Sequence, residues 1–137
     1  AISPDALLQQ PSIWLLAGMV LVWVTGFDVL YALQDIDIDT SQGLHSMPSS
    51  LGAATALWLS RLLHLAAVAL LFMIYIDDER MHVLFLAAVL VAAALLIWEH
   101  VIIARYGTGR ITLAFFTLNG IVSCLLGLFG IIDVFSS

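Results

Sequence analysis

The chain has 137 residues, of which 63% are hydrophobic and only 10% are charged, and its net charge at pH 7 is −6. Soluble domains carry about 25% charged residues, and a core of this size could not bury so much apolar surface. The composition therefore excludes an ordinary soluble domain and predicts an integral membrane protein. The chain has no lysine, which argues against nucleic acid as a partner.

Four apolar stretches are each long enough to cross a bilayer as a helix, since a span needs about 20 residues. They cover residues 12–33, 50–76, 81–104 and 111–135, and Pro11 is typical of a helix start. In lipid, a helix satisfies its own backbone hydrogen bonds. We therefore predict an all-α membrane domain over residues 1–137, with four transmembrane helices and an acidic loop at residues 34–49.

The arginines predict the orientation of these helices. Arg105 and Arg110 lie in the same loop, whereas Arg80 lies alone in another. The excess of basic residues favours the cytoplasmic side for the first of these loops. By alternation, the acidic loop is also expected on the cytoplasmic side of the inner membrane.

The end of the first span carries a row of polar side chains. Asp28, Tyr31, Asp35 and Asp39 follow a spacing of i, i+3, i+7 and i+11, so they share one face if the helix continues through them. Asp37 falls on the other side. Ionisable residues inside a membrane are costly and indicate function. The alternative is that the three loop aspartates simply form a solvated, charged loop.

The other polar membrane residues are expected at the same depth as this row or near the midplane: Arg61, His64, Glu99, His100 and Asn119. The four helices are therefore expected to line a cavity that is polar at its cytoplasmic mouth and apolar beyond it. Such a cavity suits an amphiphile with a charged head. Because Glu99 and His100 are adjacent, at most one of them is expected to face it.

The Asp-x-Asp-x-Asp pattern of the loop does not fit a calcium-binding EF-hand. Thr40 occupies the position that needs glycine, and Ser46 the position that needs glutamate. Asp35 and Asp39, one helical turn apart, can instead offer oxygens to Mg²⁺, which takes its remaining ligands from water and phosphate. This pattern indicates a clamp for a diphosphate.

The stretch Asp28-Val-Leu-Tyr-Ala-Leu-Gln-Asp-Ile-Asp-Ile-Asp39, with Gly43 and Ser46-Met-Pro48, resembles the second aspartate-rich motif of the UbiA superfamily of intramembrane aromatic prenyltransferases. Three further segments are most similar to its 4-hydroxybenzoate polyprenyltransferase branch: Arg61-Leu-Leu-His64, Trp98-Glu-His100 and Phe115-Phe-Thr-Leu-Asn-Gly120. The resemblance covers nearly the whole chain.

One family feature is missing from the chain. Members of the family have about nine transmembrane helices and an earlier motif, Asn-Asp-x-x-Asp-x-x-x-Asp, which holds the other half of the metal site. The sequence contains no such motif and looks like the last four helices. Its start at Ala1 also suggests a segment of something longer. We expect it to be inactive by itself and to need the N-terminal half or a partner chain.

The resemblance implies a reaction and roles for four residues. Asp35 and Asp39 would bind Mg²⁺ and, through it, a polyprenyl diphosphate, while Asp28 and Tyr31 would line the pocket beneath. The product would be a prenylated aromatic acid, such as prenylated 4-hydroxybenzoate, on a route to ubiquinone or menaquinone. The acceptor of the proton lost from the ring is left open between Asp28 and the diphosphate.

Three further residues are candidates for substrate binding. Arg61 would meet the diphosphate or pair with Asp28, and His64 would contact the aromatic substrate. For both, the alternative is a hydrogen bond between helices without a substrate role. Asn119 is also a substrate-binding candidate, and its alternative role is helix packing together with Gly120.

A different class of function also fits the composition. The four helices could form a non-enzymatic membrane module, or a segment of an ion-coupled transporter in which Asp28 carries a proton or a cation.

Overall fold

The computed structural model describes residues 10–43, 47–107 and 111–136. Within these ranges the chain is helical and has no strand. The four long helices confirm the predicted all-α membrane fold, since each is long and apolar enough to cross a bilayer. The elements are α1 (Pro11–Ala32), a 3-10 turn (Leu33–Asp35), α2 (Ile36–Gln42), α3 (Met47–Leu51), α4 (Ala53–Asp77), α5 (Val83–Tyr106) and α6 (Ile111–Ser136).

Proline and glycine set several of the helix boundaries. Pro11 occupies the first turn of α1, where its missing N–H group costs nothing. Gly52 separates α3 from α4 with a φ of 83°, and Gly107 follows α5 with a φ of 71°. Both values lie in the left-handed region, which glycine adopts without strain. Gly52 explains why α4 begins at residue 53 and not at residue 50.

The long helices pack as two antiparallel pairs, α1 with α4 and α5 with α6, and the pairs meet mainly through α4 and α5. In the first pair, the buried hydroxyl of Ser60 donates a hydrogen bond of 2.8 Å to the carbonyl oxygen of Gly26. Without a hydrophobic driving force in lipid, close packing and hydrogen bonds of this kind hold helices together.

The core has two layers. The first draws buried apolar side chains from all four long helices, among them Met19, Leu71, Phe85 and Leu126. The second layer lies closer to the end at which α1 and α5 finish, which we call the acidic end. Its described members come from α1, the 3-10 turn that follows it, α4 and α5, and the most buried of them are Leu30 and Ala56.

The opposite end is tied together by a carboxylate. Asp133, in the last turns of α6, is buried and accepts hydrogen bonds from the backbone N–H groups of His82 at 2.9 Å and Phe85 at 2.8 Å. His82 is the N-cap residue of α5, and its own side chain makes no capping bond. A helix N-terminus leaves several N–H groups without partners inside the helix. Asp133 therefore caps α5 from the neighbouring helix.

Candidate functional site

The row of polar residues on α1 points away from the core. Asp28 is exposed, and Tyr31 is 43% exposed, whereas Leu30 between them is fully buried. Both polar side chains therefore lie on the outer side of the described helices, near the acidic end. This differs from the expectation that the four helices enclose these groups in a shared cavity.

The described part of the acidic segment contains more helix than the predicted loop. The helix does not run straight through it, because the 3-10 turn Leu33–Asp35 separates α1 from the short helix α2. Asp35 is exposed at the end of this turn, and Asp39 is half-buried within α2. The two carboxylates lie four residues apart in sequence.

These two aspartates are the candidate metal ligands. No group of three or more His, Cys, Asp or Glu side chains comes together as a metal site in the described ranges. A pair of carboxylates still suits Mg²⁺, because this ion usually keeps several waters and takes one or two carboxylates together with substrate phosphates. The exposure of Asp35 leaves room for such ligands.

A second polar group lies inside the helix bundle, where α1, α4 and α5 meet. His64 is buried, and its Nδ1 lies 3.0 Å from Nε2 of His100, within hydrogen-bond distance. The ring of Phe27 packs against the His64 ring with centroids 4.4 Å apart. Gly26 approaches the same ring so closely that any side chain there would overlap with it. His64 therefore connects three helices.

Glu99 directly precedes His100 in the sequence and is buried, with an exposed fraction of 1%. Its Oε1 has no hydrogen-bond partner within the described part of the chain. His100 lies within hydrogen-bond distance of His64, and Glu99 occupies the buried face of α5. Asn119 on α6 is half-buried.

Arg61 lies on a different surface, the seam between α4 and α5. Its guanidinium stacks on the ring of Trp58, 4.8 Å from the centroid. Along the same seam runs a cleft of about 450 Å³, which Arg61, His64 and His100 line together with apolar side chains. Among the described residues Arg61 has no ion pair, so the expected contact with Asp28 does not form.

The structure thus divides the predicted site residues into separate groups. Asp28, Tyr31 and Asp35 are exposed on α1 and the turn that follows it, whereas His64 lies in the interior and Arg61 on the α4–α5 seam. The sequence analysis missed the hydrogen bond between Ser60 and Gly26, which joins α1 to α4. It also missed Asp133, which caps α5 at the opposite end. Asp133 could have been found as an acid in an otherwise apolar span, and Ser60 and Gly26 as small residues in membrane helices.

A model of the UbiA prenyltransferase family matches residues 1–129. Neither a curated protein nor a solved structure matches the chain.

Proposed function

The chain belongs to the UbiA prenyltransferase family, and on this premise we propose that it serves Mg²⁺-dependent transfer of a polyprenyl group from its diphosphate to 4-hydroxybenzoate or a similar aromatic acid. The product would feed ubiquinone or menaquinone synthesis. The observation that supports this best is the joint exposure of Asp28, Tyr31 and Asp35. Because these groups face outward at one end of a membrane helix, a substrate can reach them.

In this proposal the chain supplies only part of the active site, as the last four helices of a nine-helix bundle. An exposed carboxylate on a membrane helix is costly in contact with lipid. The outer face of α1, with Asp28 and Tyr31, would therefore be covered by helices that carry the first aspartate motif. They would come from an N-terminal half or from a partner chain, and the acidic end would face the cytoplasm of the inner membrane.

The chemistry follows from the groups at this end. Asp35 and Asp39 would hold the metal at the mouth of the site and so orient the diphosphate. Bound Mg²⁺ would neutralise the negative charge that builds up on the departing diphosphate. The allylic C–O bond breaks, the ring forms the new C–C bond ortho to its hydroxyl, and the ring loses a proton to Asp28 or to the diphosphate. Tyr31 would line the pocket.

The test uses the complete enzyme in membranes supplied with a polyprenyl diphosphate and 4-hydroxybenzoate. Asp35→Asn and Asp39→Asn should each lower Mg²⁺-dependent transfer by at least about 100-fold, on the scale of losing an electrostatic group of an active site. Asp37→Asn is the matched control, since it removes a neighbouring charge and should have a smaller effect. Circular dichroism should show that all three variants fold.

Wild-type activity in both the Asp35 and the Asp39 variants would overturn the proposal. Absence of any prenyl transfer by the native complex, combined with ion flux in liposomes that Asp28→Asn abolishes, would favour the transporter alternative instead.

A further inference from the structure

The cleft between α4 and α5 opens toward the surroundings of the helix bundle. Two of its apolar lining residues, Leu65 and Ile97, are each 66% exposed. The helices have the length and apolar character of membrane spans, so lipid is the medium expected outside this opening. The volume of about 450 Å³ lies in the range of about 300–1,000 Å³ that is typical of small-molecule sites. The cleft is therefore large enough to take a hydrocarbon chain from the bilayer.

The polar groups of the cleft lie toward the acidic end of the helix bundle. Arg61 is the one cation among the lining residues, which include no Asp or Glu. It is half-buried, and no carboxylate of the described residues lies within ion-pair distance. An arginine inside a membrane normally pairs with another group, because an isolated charge there is costly. The unmatched charge calls for an anion.

We propose that this cleft binds one anionic phospholipid of the surrounding bilayer, with the phosphate at Arg61 and one acyl chain along the apolar part of the seam. The guanidinium forms paired hydrogen bonds with phosphate oxygens. Trp58 holds the guanidinium in place by its cation–π contact and suits the boundary between head groups and hydrocarbon. This site is separate from Asp28 and Asp35, so it does not depend on the proposed enzymatic function.

The inner end of the cleft supports this geometry. His64 and His100 line the cleft and contact each other across the seam, so their rings form a wall between the cleft and α1. Beyond them the lining is apolar, with Val68 and Leu96 facing the space. A lipid chain here would bury hydrocarbon against hydrocarbon while its phosphate remained near the arginine. A free phosphate would lack this second contact.

The experiment measures quenching of tryptophan fluorescence by brominated lipids. The complete protein is reconstituted in phosphatidylcholine vesicles in which a fixed fraction of the lipid is replaced by brominated phosphatidylglycerol or by brominated phosphatidylcholine. A Trp58→Phe variant gives the signal of the other tryptophans, which is subtracted. The quenching that remains gives the relative affinity of the site for the two lipids. This affinity should be about fivefold higher for the anionic lipid, as expected for one basic group.

Two pairs of variants test the site. Arg61→Gln should abolish the preference, whereas Arg105→Gln, which changes an exposed arginine outside the cleft, should retain it. Ala93→Phe fills the cleft and should also abolish the preference, whereas Ala94→Phe on an exposed position next to it should not. Circular dichroism and the unfolding midpoint verify that each variant folds.

Three results would overturn the proposal. Equal quenching by the two lipids in the wild-type protein would show that the cleft does not select anionic lipid. A preference that survives Ala93→Phe would mean that Arg61 simply reaches the general head-group region. Displacement of the brominated anionic lipid by a polyprenyl diphosphate would assign the cleft to the substrate. None of these results depends on prenyl transfer, so the proposed function stands or fails separately.

Discussion

A methyl group added to Gly26 would lie 2.5 Å from Cδ2 of His64. The imidazole cannot move aside freely, because Phe27 packs on it and His100 lies at hydrogen-bond distance from its Nδ1. We therefore expect Gly26→Ala to destabilise the helix bundle by about 1–3 kcal/mol, as overpacking of a tight core does. The measurement is the unfolding midpoint in detergent.

Gly18→Ala, in the same helix, is the control for this substitution. A methyl group there would lie 3.8 Å from Leu70 Cδ1, an ordinary contact. Replacing a helical glycine at an open position should stabilise the protein by roughly 0.5–1 kcal/mol. If the two variants had the same midpoint, the close approach of Gly26 to His64 would not limit the packing.

The cap that Asp133 provides for α5 predicts a second loss of stability. Asp133→Ala removes the acceptor for the buried N–H group of Phe85 and for that of His82. Loss of a cap and of a buried acceptor should each cost about 1–2 kcal/mol, and thermal unfolding in detergent would show it. Asp77→Ala, an exposed acid at the end of α4, should leave the midpoint nearly unchanged. Equal effects would contradict the capping role.

The ion pair in the α4–α5 connection predicts a pH dependence. Arg80 donates from Nε at 2.8 Å and from Nη2 at 2.7 Å to the carboxylate of Asp78. These hydrogen bonds hold the pKa of Asp78 below its usual range, with the nearby positive charge adding to the effect. Because the pKa is lower in the folded state than in the unfolded state, the interaction stabilises the fold above the unfolded pKa of about 3.9. Its contribution disappears as the pH falls through the folded pKa.

The comparison of wild type with Arg80→Gln tests this sign. The difference between their unfolding midpoints should be constant between about pH 5 and 8 and should shrink below about pH 4. In an Asp78→Asn background the same substitution should give a difference that does not change with pH. A difference between the midpoints that increased as the pH fell would refute the lowered pKa of Asp78. The effect should be small, since half of the Arg80 side chain is exposed.

Replacing Glu99 by an apolar residue should raise the stability of the protein. Its carboxyl group is buried in an apolar face, and its Oε1 has no partner among the described residues. An unsatisfied buried polar atom costs about 1–3 kcal/mol, so Glu99→Met, which keeps much of the volume, should raise the unfolding midpoint. Ile103→Met at the next buried position of the same helix face is the control and should lower it slightly. A lower midpoint for Glu99→Met would show that the carboxyl group makes a stabilising contact.

The transmembrane architecture could be derived from the sequence because lipid leaves the backbone few choices. Long apolar runs must form helices in a bilayer, so their number and approximate limits follow from hydropathy, and Pro11 marks the start of the first one. The predicted limits differ from the observed ones by at most three residues. Asp35 lies in the 3-10 turn and Asp39 in the short helix that follows it.

The direction in which each side chain points could not be derived in this way. A soluble helix shows its buried face through alternation of polar and apolar residues, but these helices are apolar at most positions, so no such pattern marks a buried face. Periodicity therefore placed Asp28 and Tyr31 near each other without showing that they face away from the described helices. It also could not show that Arg61 lies on the outer seam while Glu99 turns inward.

The sequence by itself determined the membrane setting and the number of spans, because these depend only on the order of apolar and charged residues along the chain. Only the tertiary structure decided which polar residues meet, because helix rotation and pairing depend on the fit between side chains of distant segments. The contact of His64 with His100 and the capping of α5 by Asp133 are results of that fit.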